Sequence, residues 1–549
     1  MMKKVIKKLL AALLAVAMVC AMAIPAFAFE SWETEEDLNK NHEYIAFQIF
    51  KGVISKNNPT LSDVTWGSHI TDPAAFLEQL KNDSTIGAQF HSIDAIDATD
   101  ATDAATVQKV LAVISQWSDS DDDSIAFARF VCHYLYSNGD PQSTIVGGGG
   151  AIKIPEPGYY LIVDTINFND GDHYHAYNSF LLVNDTNQGE YNVIINHKVV
   201  KPTVEKKVYD NDNNDISSAG GWGSSADHAI NEKFQFQLIA KLPASKDNGR
   251  AYDYYDKYTV CFNDTLSAGI TFDNLDTVKI ANVDGDNSKE ITNYKFDDTD
   301  LHEAGHPTSF KLSIDDVKTC AAAAGLNLND GATITVTYTA HLNENAYVNT
   351  AGGPTDNNNS VFLQYSNNPI NTSVGQTPES KVCVYTYQLN NTKYHDEDKP
   401  GNELEGAGFR LYSNEACNAE DEIKLKMNDD GTYSRDFSTE GKGVEMLSNK
   451  DGQFNVKGLD AGTYYLKETT PPTGYSACAN KEIVISATHD VNHVDLSGNL
   501  SITIINKKAG GITLPSTGGI GTTIFYVVGG GLMVAAIVLL VTKKRMENK

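Results

Sequence analysis

The chain has few cysteines and few basic residues for a protein of 549 residues. It contains seven cysteines, none in a C-x-x-C spacing, so neither a disulfide framework nor a cysteine-bound zinc site is expected. Its 43 lysines and arginines face 71 aspartates and glutamates, and the formal charge is −28. This acidic balance, without a basic patch interleaved with aromatic residues, argues against binding to nucleic acid and favours a soluble, self-repelling surface.

Motifs typical of enzymes are also scarce. The sequence has no G-x-S-x-G nucleophile elbow and no glycine-rich phosphate loop. Two stretches rich in Asp and Asn, 210–215 and 284–287, have a calcium-like spacing but lack the full ligand run with its closing glutamate. We therefore expect a protein that is not an enzyme and that needs no cofactor and no metal ion.

Both ends of the chain have patterns typical of export and anchoring. Four lysines, an apolar stretch from Leu9 to Ile24 and the segment Ala26-Phe27-Ala28 predict a signal peptide over residues 1–28. Near the C-terminus, the apolar run from Ile520 to Val541 is long enough, as a helix, to cross a bilayer. The basic residues Lys543-Lys544-Arg545 follow it and favour the cytoplasmic side.

A short motif precedes this apolar run. It is Leu514-Pro515-Ser516-Thr517-Gly518, and it is expected to be extended because the residue before a proline avoids helical geometry. Motif, span and basic tail in this order resemble the cell-wall sorting signal of Gram-positive surface proteins. The resemblance implies that a sortase cleaves between Thr517 and Gly518 and passes the Thr517 acyl group to an amine. The protein would then be secreted and anchored to the cell wall.

Three units are predicted between the two ends. They are an N-terminal unit at residues 29–200, a middle unit at residues 201–382 and a C-terminal unit at residues 383–510. The sorting segment 511–549 follows them. The N-terminal unit combines strands with helical patches near Pro73–Lys81 and Ala104–Trp117, and its acidic run Asp119–Asp123 is expected to be a solvated loop. The other two units have regular strands separated by turns rich in Gly, Asn and Asp. This pattern predicts tandem immunoglobulin-like β-sandwiches, so the fold class is mainly β.

The strands are predicted from alternating hydrophobic residues. Their expected positions are His42–Phe50, Gly158–Asp164, Ser179–Val183, Lys201–Val208, Lys233–Leu242, Tyr258–Asp264, Thr333–His341, Ser360–Tyr365, Val382–Lys393, Ala407–Ser413, Thr463–Glu468, Glu482–Ser486 and Leu500–Asn506.

The C-terminal unit has the most specific internal pattern. The segments Gly406–Tyr412, Gly458–Thr469 and Pro471–Tyr475 resemble the B-type immunoglobulin-like repeat of collagen-binding adhesins and pilins, including its E-box glutamate. The resemblance implies that a lysine of an early strand condenses with an asparagine of the last strand, beside a buried acid, with release of ammonia. The matching positions are Lys393, Asn506 and Glu468.

Elementary chemistry supports these residue types. Asn506 and Glu468 both fall on the apolar faces of alternating strands. An apolar pocket lowers the pKa of a lysine and raises that of a carboxyl group, so that both can be neutral. Neutral Lys393 would attack the Asn506 carbonyl while protonated Glu468 polarises it and transfers protons. On the chain-entropy model, a cross-link that closes such a loop stabilises the unit by about 4–5 kcal/mol.

The middle unit has a related pattern. Lys206 shares one strand face with Val204 and Val208, and the segment Asn357–Pro369 resembles the closing strand of the middle domain of shaft pilins. This resemblance pairs Lys206 with Asn359. The acid remains open between Asp264 and Glu232, which both share a strand face with apolar residues. Asp264 is preferred because the resemblance implies an acid at its position, and Glu232 is the alternative.

The N-terminal unit is expected to lack such a bond. Aligning its Tyr159-Tyr160-Leu161 with the corresponding segment of the C-terminal unit places Val163 where Glu468 stands, and Asp164 points to the opposite face. The segment Tyr191–Lys198 resembles the pilin motif of sortase-assembled shafts, although Asn196-His197 replaces its Tyr-Pro. Lys198 is therefore the predicted acceptor amine, with Lys201 as the nearest competitor.

Taken along the chain, these features resemble the major, or shaft, subunit of a sortase-assembled Gram-positive pilus. The implied partners are a pilin-specific sortase, further copies of this chain joined covalently head to tail, minor pilins, peptidoglycan and host surface ligands. The alternative is a monomeric wall-anchored adhesin, or a minor tip or basal pilin, attached only through Thr517.

Overall fold

The computed structural model describes residues 42–509 and 532–544, with internal gaps. The gaps are residues 56–57, 97–103, 118–121, 138–143, 147–150, 155, 167–177, 184–190, 195–200, 212–220, 244–254, 284–286, 303–305, 330, 350–356, 368–371, 373, 439–440, 499 and 542. The described chain is mostly β-structure in several sheets, which confirms the predicted fold class.

The N-terminal unit is a sheet covered by helices. Its strands are β1 (His42–Ser55), β2 (Asn58–Trp66), β3 (Thr144–Val146), β4 (Ala151–Ile154), β5 (Gly158–Ile166), β6 (Asn178–Val183) and β7 (Tyr191–Ile194). The main sheet has the order β2-β1-β5-β6, with β3 also on β1, while β4 and β7 form a separate pair. Helices Pro73–Asn82, Ala104–Ile114 and Asp122–Ser137 and the 3-10 helix Gly87–Phe90 contribute to the same apolar core as β1 and β5.

Two facing sheets form the middle unit. Its strands are β8 (Thr203–Tyr209), β9 (Trp222–Gly223), β10 (Ser225–Asp227), β11 (Lys233–Lys241), β12 (Val260–Leu266), β13 (Ile270–Ala281), β14 (Lys289–Glu290), β15 (Lys295–Asp297), β16 (Thr308–Ile314), β17 (Thr333–Leu342), β18 (Asn358–Ser366), β19 (Val374–Gln376) and β20 (Ser380–Tyr385). One sheet has the order β14-β13-β17-β11-β8-β9, and the other has the order β10-β20-β18-β12-β16-β15, with β19 on β18. Their inner faces share one apolar core, and the 3-10 helix Thr299–His302 and the helix Val317–Ala323 lie between strands.

The C-terminal unit is a smaller sandwich. Its strands are β21 (Tyr387–His395), β22 (Gly408–Tyr412), β23 (Glu422–Ile423), β24 (Leu425–Met427), β25 (Tyr433–Arg435), β26 (Met446–Leu447), β27 (Val456–Leu459), β28 (Gly462–Thr470), β29 (Lys481–His489), β30 (Val494–Gly498) and β31 (Ser501–Asn506), and a 3-10 helix spans Ala419–Asp421. The sheets are β24-β25-β27-β21-β31 and β23-β22-β28-β29-β30, with β26 on β22. The first and last strands, β21 and β31, are parallel neighbours.

The structure corrects two details of the sequence-based expectation. Asp122 and Asp123 do not belong to a loop but form the first turn of the helix Asp122–Ser137, where acidic side chains interact favourably with the helix dipole. This helix is buried around most of its circumference, so it has little polar face to reveal its period. The stretch Val382–Lys393 is two strands rather than one, because Thr386 separates β20 of the middle unit from β21 of the C-terminal unit.

Little of the C-terminal segment belongs to the described residues. Residues 532–541 are helical, whereas the motif 514–518 and the first half of the predicted span lie outside the described residues. In the described ranges, no helix combines the length and the apolar character needed to cross a bilayer.

Candidate cross-linking sites

The strand register of the C-terminal unit places Lys393 next to Asn506. In the parallel pair of β21 and β31, Asn506 lies opposite His395, so that Lys393, two residues earlier, is its diagonal neighbour on the same face. Glu468 comes from β28 in the facing sheet, where it lies opposite Phe409. One sheet therefore supplies the lysine and the asparagine, and the other supplies the acid.

The three side chains are in direct contact inside the core. The Lys393 Nζ atom lies 2.5 Å from the Asn506 Oδ1 atom and 3.4 Å from Glu468 Oε1. The Asn506 side-chain amide donates a hydrogen bond of 2.7 Å to the same glutamate oxygen. The other oxygen, Oε2, accepts one of 2.7 Å from the Cys478 backbone N–H. Glu468 thus touches both the amine and the amide nitrogen.

The surroundings of this site are dry and aromatic. The side chains of Lys393 and Glu468 have no exposed surface, and the Lys393 ammonium lies 5.3 Å from the centre of the Phe409 ring. Burial lowers the pKa of Lys393, although the charge of Glu468 opposes the shift. The site therefore favours the neutral, nucleophilic form of the amine more than water does.

The middle unit brings its residues together from two sheets. Lys206 points inward from β8, with Val208 buried on the same face. In the facing sheet, β12 and β18 are antiparallel and Asp264 lies opposite Val361, which makes Asn359 its diagonal neighbour on the same face. The lysine thus belongs to one sheet, and the acid and the asparagine belong to the other.

A tyrosine hydroxyl connects the side chains of this second site. Lys206 is hydrogen-bonded directly to Asp264, and its Nζ atom lies 3.1 Å from the Tyr338 hydroxyl. The same hydroxyl donates to Asp264 Oδ1 over 3.1 Å and accepts a hydrogen bond from the Asn359 amide. Tyr338 comes from β17, in the sheet of the lysine. It therefore joins the amine, the acid and the amide across the sandwich.

Burial controls the ionisation of this site. It lowers the pKa of Lys206 to about 8, against the opposing effect of Asp264, and it raises the pKa of Asp264, against the opposing effect of Lys206. Burial also raises the pKa of Tyr338 well above its ordinary value, so the hydroxyl keeps its proton. Lys206 and Asp264 have no exposed side-chain surface. Both shifts favour a neutral amine and a neutral acid.

The two candidate acids of the middle unit occupy different places. Asp264 contacts Lys206, whereas Glu232 lies at the boundary with the C-terminal unit, 3.7 Å from an Arg435 nitrogen. Tyr338 was not predicted from the sequence as a site residue. Its only signal was an inward-facing tyrosine on a strand whose other inward residues are aliphatic, Ile334, Val336, Ala340 and Leu342.

The N-terminal unit has an apolar residue where the C-terminal unit has its acid. Val163 is fully buried on β5 and belongs to the apolar core. The absence of a cross-link in this unit stays a prediction. Lys198 lies outside the described residues, while Lys201 is exposed just before β8.

One segment of the sequence matches a motif of hydrolases, although motifs typical of enzymes are otherwise scarce. His302-Glu303-Ala304-Gly305-His306 has the H-E-x-x-H spacing of zinc peptidases, which requires both histidines on one face of a helix. His302 ends the 3-10 helix Thr299–His302, residues 303–305 lie outside the described part, and His306 is exposed beside Pro307. The described residues place no α-helix at this motif.

Comparison with protein families identifies two parts of the chain. Residues 390–499 match the model of the SpaA family, described as a prealbumin-like fold domain. Residues 506–548 match the LPXTG cell wall anchor motif. The first match contains Lys393 and Glu468, and the second begins at Asn506. Both models describe structural or anchoring modules and not a catalytic domain.

Several solved structures to which parts of this chain are similar are major pilins. The T6 backbone pilin of Streptococcus pyogenes serotype M6 is 15% identical, with a TM-score of 0.42 and coverage of 87% of this chain and 97% of that chain. A C-terminal fragment of the major pilin GBS80 of Streptococcus agalactiae is 21% identical, with a TM-score of 0.39 and coverage of 56% and 99%. The major pilin SpaD of Corynebacterium diphtheriae is 18% identical, with a TM-score of 0.37 and coverage of 64% and 80%.

No curated protein sequence matches the chain. The family matches nevertheless confirm the predicted resemblance to Gram-positive pilins in its C-terminal domain and its sorting signal. They support a sortase-anchored protein of the pilin type, and the LPXTG match places the protein at the cell wall.

Proposed function

We propose that this protein is the shaft subunit of a covalently assembled surface pilus whose middle and C-terminal units each contain an internal isopeptide bond. The observation that carries the proposal is the contact of Lys393 with Asn506 beside Glu468, in the dry core of a unit that precedes a wall-anchor motif. The protein acts as a substrate and a building block. It does not turn over as an enzyme.

The chemistry in the C-terminal unit is an amide exchange. The neutral Lys393 amine attacks the Asn506 side-chain carbonyl carbon, and a new C–N bond forms while the bond to the amide nitrogen breaks. One lysine proton passes through Glu468 to the leaving nitrogen, which departs as ammonia. The hydrogen bond from Asn506 Nδ2 to Glu468 Oε1 supports this route because the acid already touches the leaving group.

Glu468 has a structural reason to remain in this dry site. Its second carboxylate oxygen accepts the Cys478 backbone N–H, which holds the group in one orientation. Its first oxygen faces both reacting residues. A positioned acid with these contacts can stabilise the developing charge in a water-excluded site, where electrostatic interactions are stronger than in water.

In the middle unit, the same exchange would join Lys206 to Asn359. Asp264 takes the part of the acid, and the Tyr338 hydroxyl bridges the three reacting groups. Each bond would connect strands far apart in sequence. The Lys393–Asn506 bond closes a separation of 113 residues, which stabilises the unit by about 4–5 kcal/mol on the chain-entropy model.

These bonds suit a fibre that carries tension. In the C-terminal unit, a pulling force enters at β21 and leaves at β31, its first and last strands. Because these strands are adjacent and parallel, a bond between Lys393 and Asn506 carries the load directly from one to the other. The strands between them are then protected from extension.

Assembly would use the same kind of bond between subunits. A pilin-specific sortase cleaves between Thr517 and Gly518 of the motif 514–518, and Lys198 of the next subunit takes the Thr517 acyl group. Repetition of this head-to-tail contact extends the fibre because the contact does not close on itself. Minor pilins and peptidoglycan would join at its ends, and host surface ligands are the expected targets of adhesion.

The test is expression of the whole chain with its pilin sortase, followed by denaturing electrophoresis of wall extracts. The wild type should give a ladder of covalent oligomers, and Lys198→Ala should collapse it to monomer. Lys201→Ala is the matched control and should keep the ladder. A ladder that survives Lys198→Ala would move the acceptor, and a wild type without a ladder would leave only a singly anchored surface protein.

A further inference from the structure

A buried cluster of ionisable side chains lies where the middle and C-terminal units meet. Asp227 is the last residue of β10, Asp210 follows β8, and His489 ends β29 of the C-terminal unit. All three are at most 2% exposed. One oxygen of each carboxylate and one imidazole nitrogen lie within 4.8 Å of one another. Neither proposed cross-link uses these residues.

The polar atoms that face this space are incompletely paired. Among the described residues, no group meets hydrogen-bond geometry with either carboxylate oxygen of Asp227 or with His489 Nε2, although the His489 ring and the Tyr387 hydroxyl face Asp227. The Nε2 atom lies 3.4 Å from Asp227 Oδ1, but the pair lacks hydrogen-bond geometry. Buried polar groups are nearly always satisfied, so this arrangement points to a ligand between the two side chains.

The imidazole ring is held in a fixed orientation. His489 Nδ1 lies 2.8 Å from the Ser225 hydroxyl in a buried hydrogen bond, and the ring stacks on Tyr385 at a centroid distance of 5.3 Å. In the tautomer that donates its Nδ1 proton to Ser225, the Nε2 lone pair points towards Asp227. Histidines that bind metal ions are typically oriented in this way, through a hydrogen bond from the other ring nitrogen.

The charges around the cluster favour a cation. The carboxyl groups of Asp210 and Asp227 are both buried, and one oxygen of each lies within 4.8 Å of the other in this cluster. A buried negative charge without compensation is costly.

We propose that Asp210, Asp227 and His489 bind one divalent transition-metal ion that joins the middle unit to the C-terminal unit. Two ligands about 2.0–2.1 Å from a tetrahedral ion are about 3.3 Å apart, which matches the separation of His489 Nε2 and Asp227 Oδ1. An imidazole among the ligands favours zinc and similar ions over calcium or magnesium, which prefer all-oxygen sites. The proposal departs from the sequence-based expectation of no metal ion.

The test uses the full chain, produced with and without added Zn²⁺ because a buried site is loaded during folding. Elemental mass spectrometry should find one zinc per chain in the supplemented wild type. Calorimetry should show a melting temperature higher by roughly 5 °C or more than for chain produced with a chelator. Asp227→Asn and His489→Gln should each lose the zinc equivalent and the shift.

The matched control is His493→Gln, since His493 is an exposed histidine that follows the same strand β29. It should bind zinc and respond to the chelator as the wild type does. If a cluster variant fails to fold, the comparison of zinc-loaded and chelator-treated wild type still tests the proposal. Zinc at wild-type content in both cluster variants would overturn the proposal, as would a supplemented wild type without zinc. Stabilisation by Ca²⁺ but not by Zn²⁺ would also overturn it.

Discussion

The C-terminal and middle units each bring a lysine, an asparagine and an acid together, but by different arrangements of their sheets. In the C-terminal unit, Lys393 and Asn506 are neighbours in one sheet and Glu468 reaches them from the other. In the middle unit, one sheet supplies Lys206, and the facing sheet supplies both Asp264 and Asn359. The proposed bond therefore runs within a sheet in one unit and between sheets in the other.

The contacts of the two sites differ as well, and within the described residues a bridging hydroxyl is seen at the middle site. Lys393 contacts the Asn506 oxygen directly, at 2.5 Å. Lys206 instead contacts the acid, and Tyr338 connects both of them to the asparagine. What the two sites share is a dry core and an acid against the amine. Proximity and desolvation are thus the common requirement, and the strand arrangement can vary.

The largest effect is expected from Asp264→Asn. Without its acid, the middle unit should fail to form its cross-link, which is worth about 4–5 kcal/mol. It should also leave the unreacted Lys206 amine buried beside an amide instead of its acid, and this incompletely paired group should cost about 1–3 kcal/mol more. Intact mass should rise by one ammonia relative to the wild type, and urea unfolding should report the lost stability.

The control for this variant is Asp276→Asn, which changes a half-buried aspartate bonded to Gln235 and Thr339 in the same unit. It should keep the mass of the wild type apart from the substitution itself. An unchanged ammonia deficit in Asp264→Asn would remove Asp264 from the chemistry.

A smaller effect is expected from Glu468→Gln in the C-terminal unit. The mass should again rise by one ammonia, and the free energy of unfolding should fall by about 4–5 kcal/mol through the lost cross-link. Asp264→Asn and Glu468→Gln together should restore both ammonias, because the two units react independently. Exposed Glu482 is the matched control, and Glu482→Gln should restore none. If the Glu468→Gln protein still lacked the mass of both ammonias, the acid would be dispensable for the cross-link of the C-terminal unit.

Tyr338→Phe tests the bridging hydroxyl of the middle unit. The substitution keeps the ring but removes the hydroxyl that joins Lys206, Asp264 and Asn359, so the middle bond should form more slowly and a fraction of chains should retain their ammonia. The lost hydrogen bonds should cost about 1–3 kcal/mol. Mass spectrometry at intervals after synthesis would follow the reaction.

Tyr464→Phe is the control for the hydroxyl, because buried Tyr464 donates a hydrogen bond of 2.8 Å to the Asp460 carbonyl in the C-terminal unit. It should lose a comparable hydrogen bond yet complete both cross-links at the rate of the wild type. Equal rates in the two variants would mean that the Tyr338 hydroxyl only contributes to packing.

The smallest effect is expected from Glu232→Gln, which tests the other candidate acid of the middle unit. Its carboxylate lies 3.7 Å from Arg435 at the boundary of the two units, and such partly exposed pairs contribute about 0–1 kcal/mol. Both ammonias should remain lost, and unfolding should hardly change. A mass higher by one ammonia would favour Glu232 over Asp264.

The periodic part of the fold could be predicted from sequence, because each strand shows its inward face in its own residues. The alternation in Thr203–Tyr209 and Ser501–Asn506 indicates that Lys206 and Asn506 point inward, and the structure buries both. The helix Asp122–Ser137 was missed because an element buried on nearly all sides has no polar face to mark its period. The split of Val382–Lys393 into β20 and β21 was missed because both strands are apolar on each side of Thr386.

Local sequence patterns were enough to predict the sorting signal, the β-sandwich class and which lysines, acids and asparagines turn towards a core. The folded chain was needed to see which sheet supplies each group, that Tyr338 contacts three of them, and that Asp227 lies next to His489 between two units. These relations depend on register and packing between strands far apart in the chain. No local pattern records the distance between residues that only folding brings together.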